Sequence, residues 1–399
     1  MKKHTNLLIM NLLLLMTHLI QAQWVLQQTN TTESFYSLFP VNENVVYAAG
    51  TNGTCVKTLD GGANWTVSNV GTSNTLFGCY FINENIGWVV GGGGVLYKTI
   101  DGGANWIAKS SGTTSLLYKI YFVNENIGWL TGINSIVKKT TDGGDNWVSQ
   151  SITSIGEVNA LQMLNENTGW VAGQSGKIRK TTNGGANWIV QNQSTSGWIT
   201  NMCMLNENVG YMCGRDQAII KTIDGGTNWI QIFSNGTMQF NAVFFINENK
   251  GWALTSDSVM YSTVDGGTNW DYVYLHNTGT GVKFIDENIG WASGYSGAIY
   301  KTTNGGVIGL TNVEKDFNIL IYPNPAINEI KIQIEFPLFD SVNFTLYDMM
   351  GRNVLNSEST LNIFQFSTEN LMDGLYTLIL ASNDWSISKK IIINNEPNF

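Results

Sequence analysis

A tryptophan closing a DGGxNW or NGGxNW string returns every 41 residues, at Trp65, Trp106, Trp147, Trp188, Trp229 and Trp270. That spacing limits what the chain can fold into more than any other feature. A period of about 40–45 residues, made of short apolar runs and Gly-rich turns, is the signature of a four-stranded propeller blade, because one unit cannot bury its faces alone and must stack on its neighbours. The unit from Leu76 to Trp106 reads as a strand from Phe77 to Ile82, the turn NENIG, a strand from Trp88 to Gly91, a Gly-rich turn, a strand from Val95 to Ile100, the turn DGGAN, and a fourth strand from Trp106.

The two ends of the repeat are complementary. The segment Trp24-Val-Leu-Gln-Gln stands 41 residues before Trp65 and matches Trp188-Ile-Val-Gln-Asn, whereas the last unit stops after Asn304-Gly-Gly without a tryptophan strand. Seven tryptophan strands starting at Trp24 and seven turns, at Asp60, Asp101, Asp142, Asn183, Asp224, Asp265 and Asn304, therefore predict an all-β, seven-bladed β-propeller. Its ring is expected to close by the N-terminal strand completing the blade begun near Val282, which leaves no open sheet edge.

Each repeated residue has a scaffold task. The Asp accepts backbone N–H groups within its turn, the glycines take φ > 0, and the Trp fills space between blades. The turn NEN places Glu43, Glu84, Glu125, Glu166, Glu207, Glu248 and Glu287 on the rim that carries the Asp turns, where solvated turn residues are the expected reading and a cation or docking ring the alternative. Lys57, Lys98, Lys139, Lys180, Lys221 and Lys301, each just before its turn Thr, are expected to offset part of that charge.

Lys2 and Lys3, an apolar stretch from Leu7 to Ile20 and the small Ala22 have the layout of a secretory signal peptide, residues 1–22, and nothing later is apolar long enough to span a membrane. No cysteine follows Ala22 directly, which argues against a lipid anchor. The full chain carries 21 basic and 30 acidic residues, and losing Lys2 and Lys3 makes it more acidic still. Such a surface argues against nucleic acid or anionic membrane as partner, since both require clustered positive charge. Cys55, Cys79, Cys203 and Cys213 occupy no shared repeat position. Cys203 and Cys213 flank one predicted hairpin, which leaves either a bridge or two packed thiols open.

The string Thr58-Leu-Asp60-Gly-Gly-Ala-Asn-Trp65 resembles the Asp-box (BNR) repeat of sialidases, xyloglucanase-type hydrolases and sortilin-like receptors. The longer unit GWVVGGGGVLYKTIDGGANW is similar to the propeller family of photosystem II assembly and stability factors. The resemblance covers about residues 24 to 306 and implies fold far more than function. It also carries the Asp-box residues over as structural. Photosystem assembly implies an arginine-rich patch, and the propeller offers only Arg179 and Arg215; the same shortage excludes a sialidase arginine cluster.

Function is expected on the opposite face, where the variable loops lie on a rigid frame. The candidate binding residues are Trp198, Arg215, Asp216 and Tyr295, with His276 and Asp257 beside them. His276 is the only histidine after the signal peptide, so neither a Ser/His/Asp triad nor a multi-His metal site can be assembled. No catalytic residue, cofactor or metal site is expected. The alternative is a glycoside hydrolase using two of Asp216, Asp257, Asp271 and Glu157 across a cleft.

After Leu310 the Trp/Gly period stops. The domains are therefore residues 1–22, the propeller 23–309, a linker 310–318 and a tail 319–399. The tail resembles the type A C-terminal sorting domain of type IX secretion through Tyr322-Pro323-Asn324-Pro325, Leu346-Tyr-Asp-Met-Met-Gly351-Arg, Gly374-Leu-Tyr376 and Lys389-Lys390. Its alternating strands predict a small Ig-like β-sandwich. The resemblance implies export by the type IX machinery to the medium or outer surface of a Gram-negative bacterium. The propeller is then left to bind a protein or polysaccharide.

Overall fold

The computed structural model describes residues 24–192, 197–216, 218–234, 236, 239–306, 319–334, 341–349, 352–381 and 386–395. The signal-peptide segment and Gly351 lie outside them. The chain divides into two compact units on either side of residue 309.

The first unit contains seven four-stranded antiparallel sheets among the described residues. In the first of them, Phe35–Pro40, Val46–Gly50, Thr54–Thr58 and Thr66–Asn69 pair in sequence order. Burial peaks at the second strand and falls outward from it, because the second strand is covered on both faces by neighbouring sheets while the fourth meets water. Val46–Gly50 is buried throughout, whereas Thr66–Asn69 is mostly exposed. The first strand of each sheet packs on the first strand of the next, and that of the seventh on that of the first, which closes a ring.

The seventh sheet takes Thr278–Phe284, Gly290–Gly294 and Ile299–Thr302 from the end of the unit and Val25–Leu26 from its start. Val25 lies opposite Lys301 and Leu26 opposite Tyr300. The Gln27 N–H donates to the Ile299 carbonyl at 2.8 Å, and the Thr29 hydroxyl to the Gly297 carbonyl at 2.7 Å. Trp24 is buried against Trp252 and Leu254 of the sixth sheet and Phe284 of its own.

A second aromatic set completes the frame. Trp88, Trp129, Trp170, Trp252 and Trp291 on the second strands are fully buried, with Tyr47 and Tyr211 in the equivalent places. Four of these five indoles reach the next sheet's Asp turn: Trp88 Nε1 donates to the Gly143 carbonyl at 3.1 Å and Trp129 Nε1 to the Gly184 carbonyl at 3.2 Å, with Trp170 and Trp252 bonded likewise to Gly225 and Gly305. Register explains the lysine ring. Lys98 lies opposite Trp88 across the second and third strands, so its ammonium sits 5.1 Å over that ring and donates to the Gly143 carbonyl at 3.0 Å. Lys57 and Lys180 bond to Gly102 and Gly225 at 3.0 Å in the same way. These lysines thus tie neighbouring sheets together, in addition to facing the rim glutamates, as Lys57 does Glu84 and Lys180 does Glu207.

All four cysteines are free and buried. Cys203 lies opposite Tyr211, and Cys213 opposite Asn201, so the two thiols of that hairpin are not partners; Cys203 instead meets the Phe245 backbone. Burial pushes the Cys213 thiol up to about 12.

Among its described residues, the second unit places seven strands around one apolar core that includes Ile330, Ile332, Leu346, Leu378 and Ile391. Its first strand, Ile319–Ile327, pairs antiparallel with Glu329–Ile334 and, at Ala326, parallel with Ser386–Ile393. Asn324, between Pro323 and Pro325, accepts the Ile392 N–H at 2.9 Å and donates to the Lys390 carbonyl at 3.2 Å. The YPNP string therefore lies against the strand that carries Lys389 and Lys390. Tyr376, two residues after Gly374, is buried and donates to the Met372 carbonyl at 2.8 Å.

Candidate functional site

The two faces of the ring are built differently. On one, each Asp turn satisfies itself. Asp60 accepts the Thr58 hydroxyl and the Asn64 N–H at 2.8 Å on Oδ1, and the Asn64 amide at 2.7 Å on Oδ2. The hydroxyl of Thr58 takes the Gly62 N–H at 2.8 Å, while Gly61 and Gly62 sit at φ 70° and 104°. Asn183 holds its turn through the same Oδ1 contacts. The Gly61 N–H donates to the Asn44 carbonyl at 2.9 Å, so the NEN turns share this face, and the Glu84 carboxylate accepts the Asn42 amide at 2.7 Å. Among the described residues no group of three or more His, Cys, Asp or Glu is placed to hold a metal.

Those hydrogen bonds hold the carboxyls of Asp60, Asp142 and Asp265 down to about 2. A depressed carboxyl contributes stability above its unfolded value of roughly 4 and loses it as pH falls through about 2. The urea midpoint should therefore drop between pH 4 and pH 2. Replacing the three by Asn, as at Asn183 and Asn304, should flatten that drop; a triple variant as acid-sensitive as the parent would contradict the assignment.

The opposite face begins with a bulge. In six sheets one extra residue interrupts the pairing of the first strand with the second: Tyr36, Phe77, Tyr118, Asn159, Thr200 and Asn241 in turn. A bulge leaves its residue unpaired and re-aims its side chain. It also draws the start of the first strand onto the end of the second: a Cβ on Gly50 would stand 1.8 Å from the Ser34 carbonyl oxygen, and one on Gly91 2.1 Å from that of Thr75. Only glycine permits that approach. The bulged residues encircle the mouth of the ring, three aromatic and then three polar.

The aromatic arc is continuous. Ring centroids are 6.5 Å apart from Tyr295 to Tyr36, 5.2 Å from Tyr36 to Phe77 and 5.9 Å from Phe77 to Tyr118. All four side chains are partly exposed. Tyr118 then donates to the Glu157 carboxylate at 2.7 Å. Burial raises the Tyr118 phenol, the Glu157 contact adds to it, and the Arg215 charge opposes it. The Arg215 guanidinium stacks 4.4 Å from the centre of the Trp198 ring, and Asp216 beside it accepts the Gly197 N–H at 2.8 Å. Burial also raises Tyr295, helped by Tyr36 and the Asp257 charge.

Of the sequence candidates, Trp198, Arg215, Asp216, Tyr295, Glu157 and Asp257 thus lie around this mouth. Asp271 lies away from it, exposed on the outer strand Asp271–Tyr274, so it cannot pair with Asp216 or Glu157 across a cleft. His276 is exposed in a groove with Leu26, Thr31 and Ser296 beside the closing strand. Tyr36, Phe77 and Tyr118 were missed by sequence reasoning; the available signal was an aromatic directly after the buried first residue of a strand.

Fold and mouth together define an Asp-box propeller joined to a C-terminal sorting domain. The photosynthesis system II assembly factor YCF48 family matches residues 16–111, 105–195 and 190–320, and the chain belongs to it. The secretion system C-terminal sorting domain family matches residues 320–394. Among solved structures, YCF48 bound to D1 peptide is 19% identical over 72% of this chain and 97% of that one, with a TM-score of 0.62. YCF48 from Cyanidioschyzon merolae is 18% identical over 70% of this chain and 98% of that one, with a TM-score of 0.60. PorZ, a surface component of the type IX secretion system of Porphyromonas gingivalis, is 15% identical over 91% of this chain and 59% of that one, with a TM-score of 0.51. No curated protein matches. The sorting domain marks the protein as secreted or surface-attached through type IX secretion. Among the described residues no helix is long and apolar enough to cross a membrane.

Proposed function

We propose that the exported propeller is a non-catalytic binding module that holds a protein or polysaccharide partner against the mouth opposite the Asp turns, while the tail engages the secretion machinery. The observation that carries this reading is the arc Tyr295, Tyr36, Phe77 and Tyr118, bounded by Glu157 on one side and facing the stacked Trp198 and Arg215. A concave face with aromatic surface and a few fixed polar groups is the usual make-up of a binding site. Arg and aromatic side chains also dominate binding energy at interfaces. The structure of YCF48 bound to D1 peptide supports a peptide-like occupant, since that protein has the same fold.

The test is to incubate the mature chain with plant, algal and host polysaccharides and with surface-protein digests, reading retention and the release of new reducing ends. Retention without release, weakened roughly tenfold or more by Trp198→Ala, is the expected result. Release that disappears in Asp216→Asn or Glu157→Gln would replace this reading with a hydrolase.

A further inference from the structure

The ring's inner strands carry two lysines that no repeat position explains. Register places Lys119, opposite Thr131, level with Ser37, Gly78, Ala160, Asn201, Ala242 and Gly281 on the other six inner strands. One long side chain therefore stands in a belt of small ones. Lys283, opposite Trp291, is level with Phe39, Tyr80, Tyr121, Gln162, Cys203 and Phe244, farther from the mouth. Neither belt contains a carboxylate.

The two lysines belong to the third and seventh sheets, whose inner strands do not pack on one another. Yet the Lys283 charge acts on Lys119, on Cys79 of the second sheet and on Cys203 of the fifth, and the Lys119 charge acts on Cys213 of the fifth. In a closed ring, groups on non-adjacent sheets approach one another only across the central space. Both side chains are partly open to water and walled by protein.

Neither ammonium forms a hydrogen bond or ion pair among the described residues; Lys283 only caps the Phe244 ring at 5.2 Å. Charges taken out of water are normally paired, because the desolvation cost is otherwise uncompensated. Two like charges facing one central space raise that cost further. Desolvation, with Lys283 adding to it, holds the Lys119 ammonium down to about 8, below the usual lysine range.

We propose that the central tunnel is an oxyanion site, in which Lys119 and Lys283 together hold one small anionic group, either a free inorganic oxyanion or the carboxylate at the end of a chain lying on the mouth. Such a group supplies the missing counter-charge, and charge-assisted N–H···O bonds to both ammonium groups offset their desolvation. The belt of small residues around Lys119 leaves it room. Tyr118 of the aromatic arc directly precedes Lys119 on the same inner strand, so a chain bound at the mouth, on the reading proposed above, would have its end within reach of the tunnel.

The test uses the mature full-length chain labelled with 13C at lysine Cε, with Lys119→Met and Lys283→Met assigning the two resonances. Sulfate, acetate, and one short peptide with a free or amidated C-terminus are titrated at constant ionic strength. Saturable shifts of the Lys119 and Lys283 resonances, absent from the exposed Lys390, are expected, and removal of either ammonium should weaken the affinity roughly tenfold or more. Saturation by sulfate alone assigns a free-ion site; saturation by the free-acid peptide and not its amide assigns a chain-end site. Small linear shifts equal to that of Lys390, with every probe, would overturn the proposal. The wild-type titration decides even where a variant does not fold. Either result leaves the mouth reading standing, since the signals report only the tunnel lysines.

Discussion

Deletion of residues 23–33 should abolish cooperative melting of the propeller. Val25 and Leu26 are the outer strand of the seventh sheet, and without them Ile299–Thr302 becomes an open edge. The deletion also removes Trp24, which is 7% exposed and packs across the seam between the sixth and seventh sheets. Losing a buried Trp side chain alone costs about 3–5 kcal/mol, against a total stability of roughly 5–15 kcal/mol for a domain. The hydrogen bonds from Gln27 and Thr29 to Ile299 and Gly297 are lost as well. Of the 14 tryptophans only Trp385 lies in the tail, so the near-UV tryptophan signal reports on the ring. A broad, non-cooperative decay of that signal is expected. A chain beginning at Ser34 that melts within a few degrees of the full mature chain would show that the first strand is dispensable.

The closure was legible because Trp24 and its four followers repeat a pattern whose counterpart is missing after Asn304. The Asp turns were legible for a related reason: a local string fixes a local hydrogen-bond set, so Asp60 with Thr58, Gly62 and Asn64 can be read without the rest of the fold. The mouth was only partly legible. Trp198, Arg215 and Tyr295 stand out as departures from the repeat, whereas Tyr36, Phe77 and Tyr118 look like ordinary members of an alternating strand until the bulge turns them out of it.

The lysine ring was visible as a repeat, yet its role depends on the stacking of one sheet's third strand over the next sheet's turn, which no single repeat contains. Lys119 and Lys283 gave no signal at all. They occur once each, and their relation exists only across the centre of a closed ring. The thiols of Cys203 and Cys213 show the converse limit, since closeness in a hairpin says nothing of which residues lie opposite each other.

A mouth that holds a partner should cross-link to it. Phe77 is central in the aromatic arc, 5.2 Å from Tyr36 and 5.9 Å from Tyr118, and partly exposed, so a photoreactive aromatic amino acid placed there keeps the ring's shape. Ile100, 60% exposed in an Asp turn, gives the matched site on the other face. Because the reagent is part of the exported chain, the partner need not be known beforehand. The measurement is irradiation of intact cells and medium carrying each substituted protein, followed by mass analysis of covalent adducts. A discrete adduct from position 77 and none from position 100 is the expected result; adducts from position 100 alone, or none from either, would contradict binding at the mouth.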